Sequence, residues 1–156
     1  MTYHFKIDAE RLLRHVVDVV GMGELFLEAA LTESKLPGVI ASRYKVAWPD
    51  FRDDPGMAYG YNEMEVGLSP ANAAEIWRYG AALDLARCLD KEDCGIVWAC
   101  AHSAIRRRRG IAWKRVGAVS AMHPSTVKRA FSRSMLQMYY HLLTMRADRR
   151  DHFGAR

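Results

Sequence analysis

The sequence predicts an all-α protein, on three observations. Apolar residues recur at helical spacing in one stretch after another. Cap and breaker residues divide those stretches. Half of the 156 residues are apolar, enough for a buried core.

The first predicted helix starts after Asp8 as N-cap and runs through Val20, with Leu12, Leu13, Val16, Val17 and Val20 on one apolar stripe. Gly21 and Gly23 are expected to end or kink it. A second helix spans Glu24 to Ser34 and stops before Lys35-Leu36-Pro37-Gly38. Residues 37–69 combine three prolines, several glycines and no sustained period, which predicts an ordered but irregular connection. Tyr44, Trp48, Phe51, Tyr59 and Tyr61 make this segment too aromatic for a disordered linker, and they are expected to pack on the helices. A stacking platform for unpaired bases is the rival reading, disfavoured by the neighbouring Asp50, Asp53, Asp54, Glu63 and Glu65.

Ser69-Pro70 is expected to open the next helix, with Ser69 as N-cap and Pro70 at the first helical position. It should reach about Leu89 and bury Ile76, Trp77, Leu83 and Leu89. Asp90 starts another, with Asp93 three residues on as a weak capping box and Ile96, Val97 and Ala101 facing inward. A short helical segment from Ile111 to Ser120 follows the run Arg106-Arg107-Arg108-Arg109 and Gly110. Beyond Ala121-Met122-His123, Pro124 suits the first position of a final helix reaching roughly Met145. The expected organisation is an N-terminal part (1–68), a helical domain (69–145) with a motif at about 111–135, and a basic tail (146–156).

Composition narrows the function classes. Residues 1–90 carry nine Lys/Arg against fourteen Asp/Glu, whereas residues 91–156 carry fourteen against four. A basic half beside an acidic half implies a polyanion partner for one half only, although a solvated basic tail would show the same balance. No apolar run is long enough to cross a bilayer, and the N-terminal segment lacks the signature of a secretory signal, so a cytoplasmic protein with no membrane role is expected. Cys88, Cys94 and Cys100 are separated by six-residue steps, about 240° apart on a helix, and form no CxxC pair. A metal reading would recruit Cys100 with His102, but no second ligand pair stands nearby; reduced, mostly buried thiols without a metal or cofactor are expected. The six histidines are scattered, and there is neither a glycine-rich phosphate loop nor an HExxH. Asp53-Asp54 reads as turn chemistry. No catalytic residues are assigned, and the chain is not expected to be an enzyme.

The segments around Gly117 and Pro124 follow the grammar of a helix-turn-helix. Two helices crossing at a wide angle need a small residue in the first, where Gly117 stands, and an apolar plug in the turn, which Met122 supplies. Val127, Ala130, Phe131 and Met135 should face inward. That leaves Ser125, Lys128, Arg129, Ser132 and Arg133 outward, a face suited to the major groove of duplex DNA. His123, Ser125 and Thr126 would lie closest to base edges; Lys114 and Arg115 would touch the backbone, as would Arg106, Arg107, Arg108 and Arg109. A plain helical bundle can carry the same pattern by chance.

Three segments, LDKEDCGIVWA (89–99), AWKRVG (112–117) and MHPSTVKRAF (122–131), also resemble a poorly characterised family of bacterial and prophage genomes. The likeness extends upstream through LEAALTESKLP (27–37) and Trp48-Pro49, covering roughly residues 24–143. It implies a C-terminal helix-turn-helix similar to region 4 of bacterial sigma factors, with Trp113 and Lys114 at the family's Trp-Lys, and Thr126 and Phe131 at its Thr and bulky aromatic. The chain departs from that pattern by an arginine-rich insertion before Trp113 and a helix before Glu24, which leaves oligomeric state and partner choice open. The expected function is a DNA-binding transcriptional regulator of phage or prophage type. Two alternatives stay open: a DNA-packaging recognition protein like a terminase small subunit, assembled as a homo-oligomeric ring, and an adaptor that binds RNA polymerase and contacts DNA weakly.

Overall fold

A computed structural model describes residues 7–36, 69–105 and 110–154, with side chains up to Ala147. The fold is all-α. Among the described residues there are six helices: α1 (Ala9–His15), α2 (Val19–Lys35), α3 (Ala73–Ala86), α4 (Lys91–Ile105), α5 (Trp113–Val119) and α6 (Pro124–Gly154). The aromatic-rich connection and the Arg106–Arg109 run lie outside the described residues.

Asp8 caps α1 as its sequence position predicts, accepting a hydrogen bond from the Arg11 N–H. The expected single helix to Val20 is in fact two. α1 ends at His15, and Asp18 caps a new helix by accepting from the Gly21 N–H at 2.7 Å. A side-chain cap satisfies an otherwise orphaned donor, and here it sets a helix start upstream of the glycines expected to be breakers. Gly21 and Gly23 therefore sit inside α2. The new start also splits the predicted stripe: Leu12 and Val16 are buried, whereas Val17 and Val20 are 74% and 68% exposed.

The start of α3 also moves. Asn72, not Ser69, is the N-cap, because Asn72 and Glu75 form a reciprocal capping box. Two satisfied donors outweigh the Ser-Pro signal three residues earlier. The buried face of α3 is Tyr79, Ala81, Ala82, Leu85 and Ala86, and the expected core residue Ile76 is exposed. α3 ends at Ala86 rather than Leu89, although Leu89 is buried in the turn that follows.

α4 is the central helix. Ile96 to Ala101 are buried in unbroken succession, so the helix is enclosed on nearly every side. Trp98 anchors it, edge-on to Phe26 of α2 at 5.2 Å and to Tyr79 of α3 at 6.4 Å between ring centroids. Cys100 is buried beside it, and loss of solvent pushes its thiol pKa up to about 12. Cys88 and Cys94 are half-buried and raised for the same first cause.

Ion pairs seal the seam between α2 and its neighbours. The Arg78 guanidinium donates to both carboxylate oxygens of Glu28, which also lies 3.4 Å from His15. Lys35 meets Glu75 at 2.8 Å, and His102 meets Glu33 at 2.9 Å. The Lys35 ammonium, followed by the Asn72 N–H, holds the Glu75 carboxyl below its usual range. Arg11 of α1 lies over the Trp77 ring at 4.2 Å.

The long α6 packs against every other helix of this set. Met138 and Leu142 are fully buried, and the Tyr139 hydroxyl donates to the Val17 carbonyl. α6 continues past the expected end at Met145 to Gly154, taking most of the expected basic tail into helix. No helix among the described residues is long and apolar enough to cross a membrane.

Candidate functional site

The candidate site is built by α5, the turn after it and the first three turns of α6. The Ser103 hydroxyl, which donates to the Cys100 carbonyl, accepts the Ala112 N–H at 3.0 Å and so ties the entrance of α5 to the end of α4. α5 closes in a Schellman arrangement: Ala121 takes a left-handed φ of 52°, and the Met122 N–H reaches back to the Gly117 carbonyl at 2.8 Å. A Cβ on Gly117 would stand 2.6 Å from the Met122 carbonyl oxygen, so only glycine lets the turn fold back this closely. The half-buried Met122 packs on the core beneath.

Pro124 opens α6 at its first position, as its fixed φ favours. Val127, Ala130, Phe131 and Met135 are buried, as the helical period predicts. Trp113 of α5 meets Phe131 edge-on at 5.7 Å, so two of the four residues singled out by the family resemblance form one contact that locks α5 to α6.

With those positions inward, the polar ones are outward. Ser125, Thr126, Lys128, Arg129, Ser132 and Arg133 are all exposed on α6, as are Lys114 and Arg115 on α5 and His123 in the turn. The ring Nδ1 of His123 lies 2.7 Å from the Ser125 hydroxyl and accepts the Ser125 N–H at 3.3 Å, which orders the start of the helix. Among the described residues, the side-chain cations of Lys114, Lys128 and Arg129 meet no carboxylate. Arg133 does: its Nη2 donates at 2.8 Å to both oxygens of Asp93. Sequence reading gave Asp93 only a capping role. Its backbone N–H does bond the Asp90 side chain, but its own carboxylate goes to α6. Nothing local signals a partner 40 residues away.

The result is a contiguous surface of guanidinium, ammonium, imidazole and hydroxyl groups. Such a surface attracts anions and offers many hydrogen-bond donors. No group of three His, Cys, Asp or Glu side chains among the described residues could hold a metal ion.

A family model described as a domain of unknown function (DUF6362) matches residues 34–138. The chain belongs to this family. The DUF6362 match takes in α3, α4, α5 and the first half of α6, and therefore the whole described surface above. α1, nearly all of α2 and the end of α6 lie outside it. No curated protein and no solved structure matches the chain.

Proposed function

We propose that α5, its turn and α6 are a helix-turn-helix of the sigma region 4 type, and that the protein binds duplex DNA as a transcriptional regulator in the cytoplasm. The observation that carries this reading is the division of α6 into two faces. Val127, Ala130, Phe131 and Met135 are buried, and the polar and cationic residues of α6 expected to meet DNA are exposed. A helix of this kind enters the major groove, where Arg and Lys donate to guanine edges and phosphates. Gly117 and the Schellman turn support it by letting two helices meet at a tight corner. Lys114 and Arg115 at the flank would contact the backbone, and the Ser125 and Thr126 hydroxyls lie at the helix start, where residues come closest to base edges. In this reading the protein does no catalysis.

Fluorescence anisotropy with a labelled duplex, titrated at increasing salt, tests the reading. Affinity is expected to fall steeply, because each neutralised phosphate releases counterions and contributes a slope of about −0.9 on logarithmic axes. A flat response from low to moderate salt would remove the electrostatic contact on which the proposal depends.

A further inference from the structure

Asp93 is a carboxylate set beside the most cationic surface of the described chain. Its side chain is only 13% exposed, while the Arg133 side chain bonded to it is 66% exposed. Both Asp93 oxygens are taken by a single guanidinium nitrogen, Nη2. Nη1 and Nε thus keep three N–H groups that bond nothing among the described residues. A free arginine on a helix surface loses much rotamer freedom when it grips an anion. One already held from behind by a half-enclosed carboxylate loses less, and it offers its remaining donors in a fixed plane. Arg133 stands one turn beyond Arg129 and two beyond Thr126 on α6, past the residues nearest the base edges and in the place of a backbone contact.

We propose that Asp93 is a positioning residue that holds Arg133 as a preset phosphate contact at the flank of α6. This rests on the reading of α6 as a DNA-recognition helix. It makes a prediction opposite in sign to simple electrostatics. Removing a negative charge from a DNA-facing surface should tighten binding if Asp93 only repels phosphate. Removing it should weaken binding if Asp93 orients Arg133.

The test uses the full chain and a fluorescein-labelled duplex of mixed sequence, with anisotropy read at several salt concentrations and circular dichroism to confirm folding. Asp93→Asn is expected to weaken binding about three- to ten-fold despite the gain in net charge, the loss of one charge-assisted hydrogen bond. Arg133→Ala should weaken it at least as much and shallow the salt slope by about one counterion. The double variant should bind no worse than Arg133→Ala alone, because the two residues act as one contact. Arg133→Lys, an exposed change that keeps the charge and spares the fold, should lose affinity as well, since an ammonium cannot bridge carboxylate and phosphate in one plane. Binding by Asp93→Asn equal to or tighter than the parent overturns the inference, as do additive losses in the double variant or parent-like binding by Arg133→Lys. A parent protein that binds no duplex at any salt overturns the reading of α6 and this inference together.

Discussion

The helices α1 to α4 and the α5–α6 corner differ in how much of their charge is paired. In the first region several cations are matched, Arg78 with Glu28 and Lys35 with Glu75, although Arg14 and Lys91 meet no carboxylate among the described residues. At the corner, Lys114, Lys128 and Arg129 have no carboxylate among the described residues, and of the α6 cations there only Arg133 is paired. The regions differ in packing too. The first closes around one large ring, Trp98, and a continuous buried stretch of α4. The second relies on a backbone contact at Gly117 and one aromatic pair. Paired charges and a large core serve stability; an exposed cation with no carboxylate among the described residues adds little to it and leaves a positive field at the surface.

Four variants can break or sharpen this contrast. Trp98→Ala should be the most damaging, costing about 3–5 kcal/mol, because it empties the junction of α2, α3 and α4. Chemical denaturation would measure it, and a parent-like midpoint would mean the core has been misplaced. Gly117→Ala comes next. The added methyl meets backbone, not a yielding side chain, and should cost about 1–3 kcal/mol even though alanine favours helix. A melt that rises instead of falling would show that the corner tolerates a looser turn. Glu28→Gln should cost about 1 kcal/mol by releasing Arg78 and His15, a partly buried pair of groups. Arg129→Ala should leave stability within about 0.5 kcal/mol yet remove about 1–3 kcal/mol of binding to a preferred duplex. A loss of stability in Arg129→Ala as large as in Glu28→Gln would erase the distinction between the two regions.

The pairing of the first region also responds to pH. Lys35 and Asn72 lower the Glu75 pKa, so their contribution is complete above the ordinary carboxylate range and is lost as pH falls through the lowered value.

The corner was more legible in the sequence than the first region, for a physical reason. Gly117, Met122, Val127 and Phe131 answer to local rules, a tight turn and a 3.6-residue period acting within a dozen or so residues. The break at Val16 and the start at Asn72 turned on competing caps, in which Asp18 and Asn72 had side-chain acceptors correctly placed and Ser69 did not. Periodicity cannot decide between nearby caps, nor which face of α3 meets the core: Ile76 is exposed and Tyr79 enclosed because of where α2 and α4 lie. The Asp93–Arg133 and Glu28–Arg78 pairs were illegible because their partners lie 40 and 50 residues apart. Only the packed helices bring them together.

α6 carries one more consequence, concerning how the molecule comes into being. Its 31 residues make a rod about 46 Å long, packed against α1 and α2. The Tyr139 hydroxyl closes on the Val17 carbonyl across 122 residues, with Met138 and Leu142 enclosed on either side. Contacts of such sequence separation form late, after a long loop has been closed. During synthesis α1 and α2 emerge with one of their packing partners, α6, still unmade. The exposed face of α6 therefore gains its final orientation only as the bundle closes.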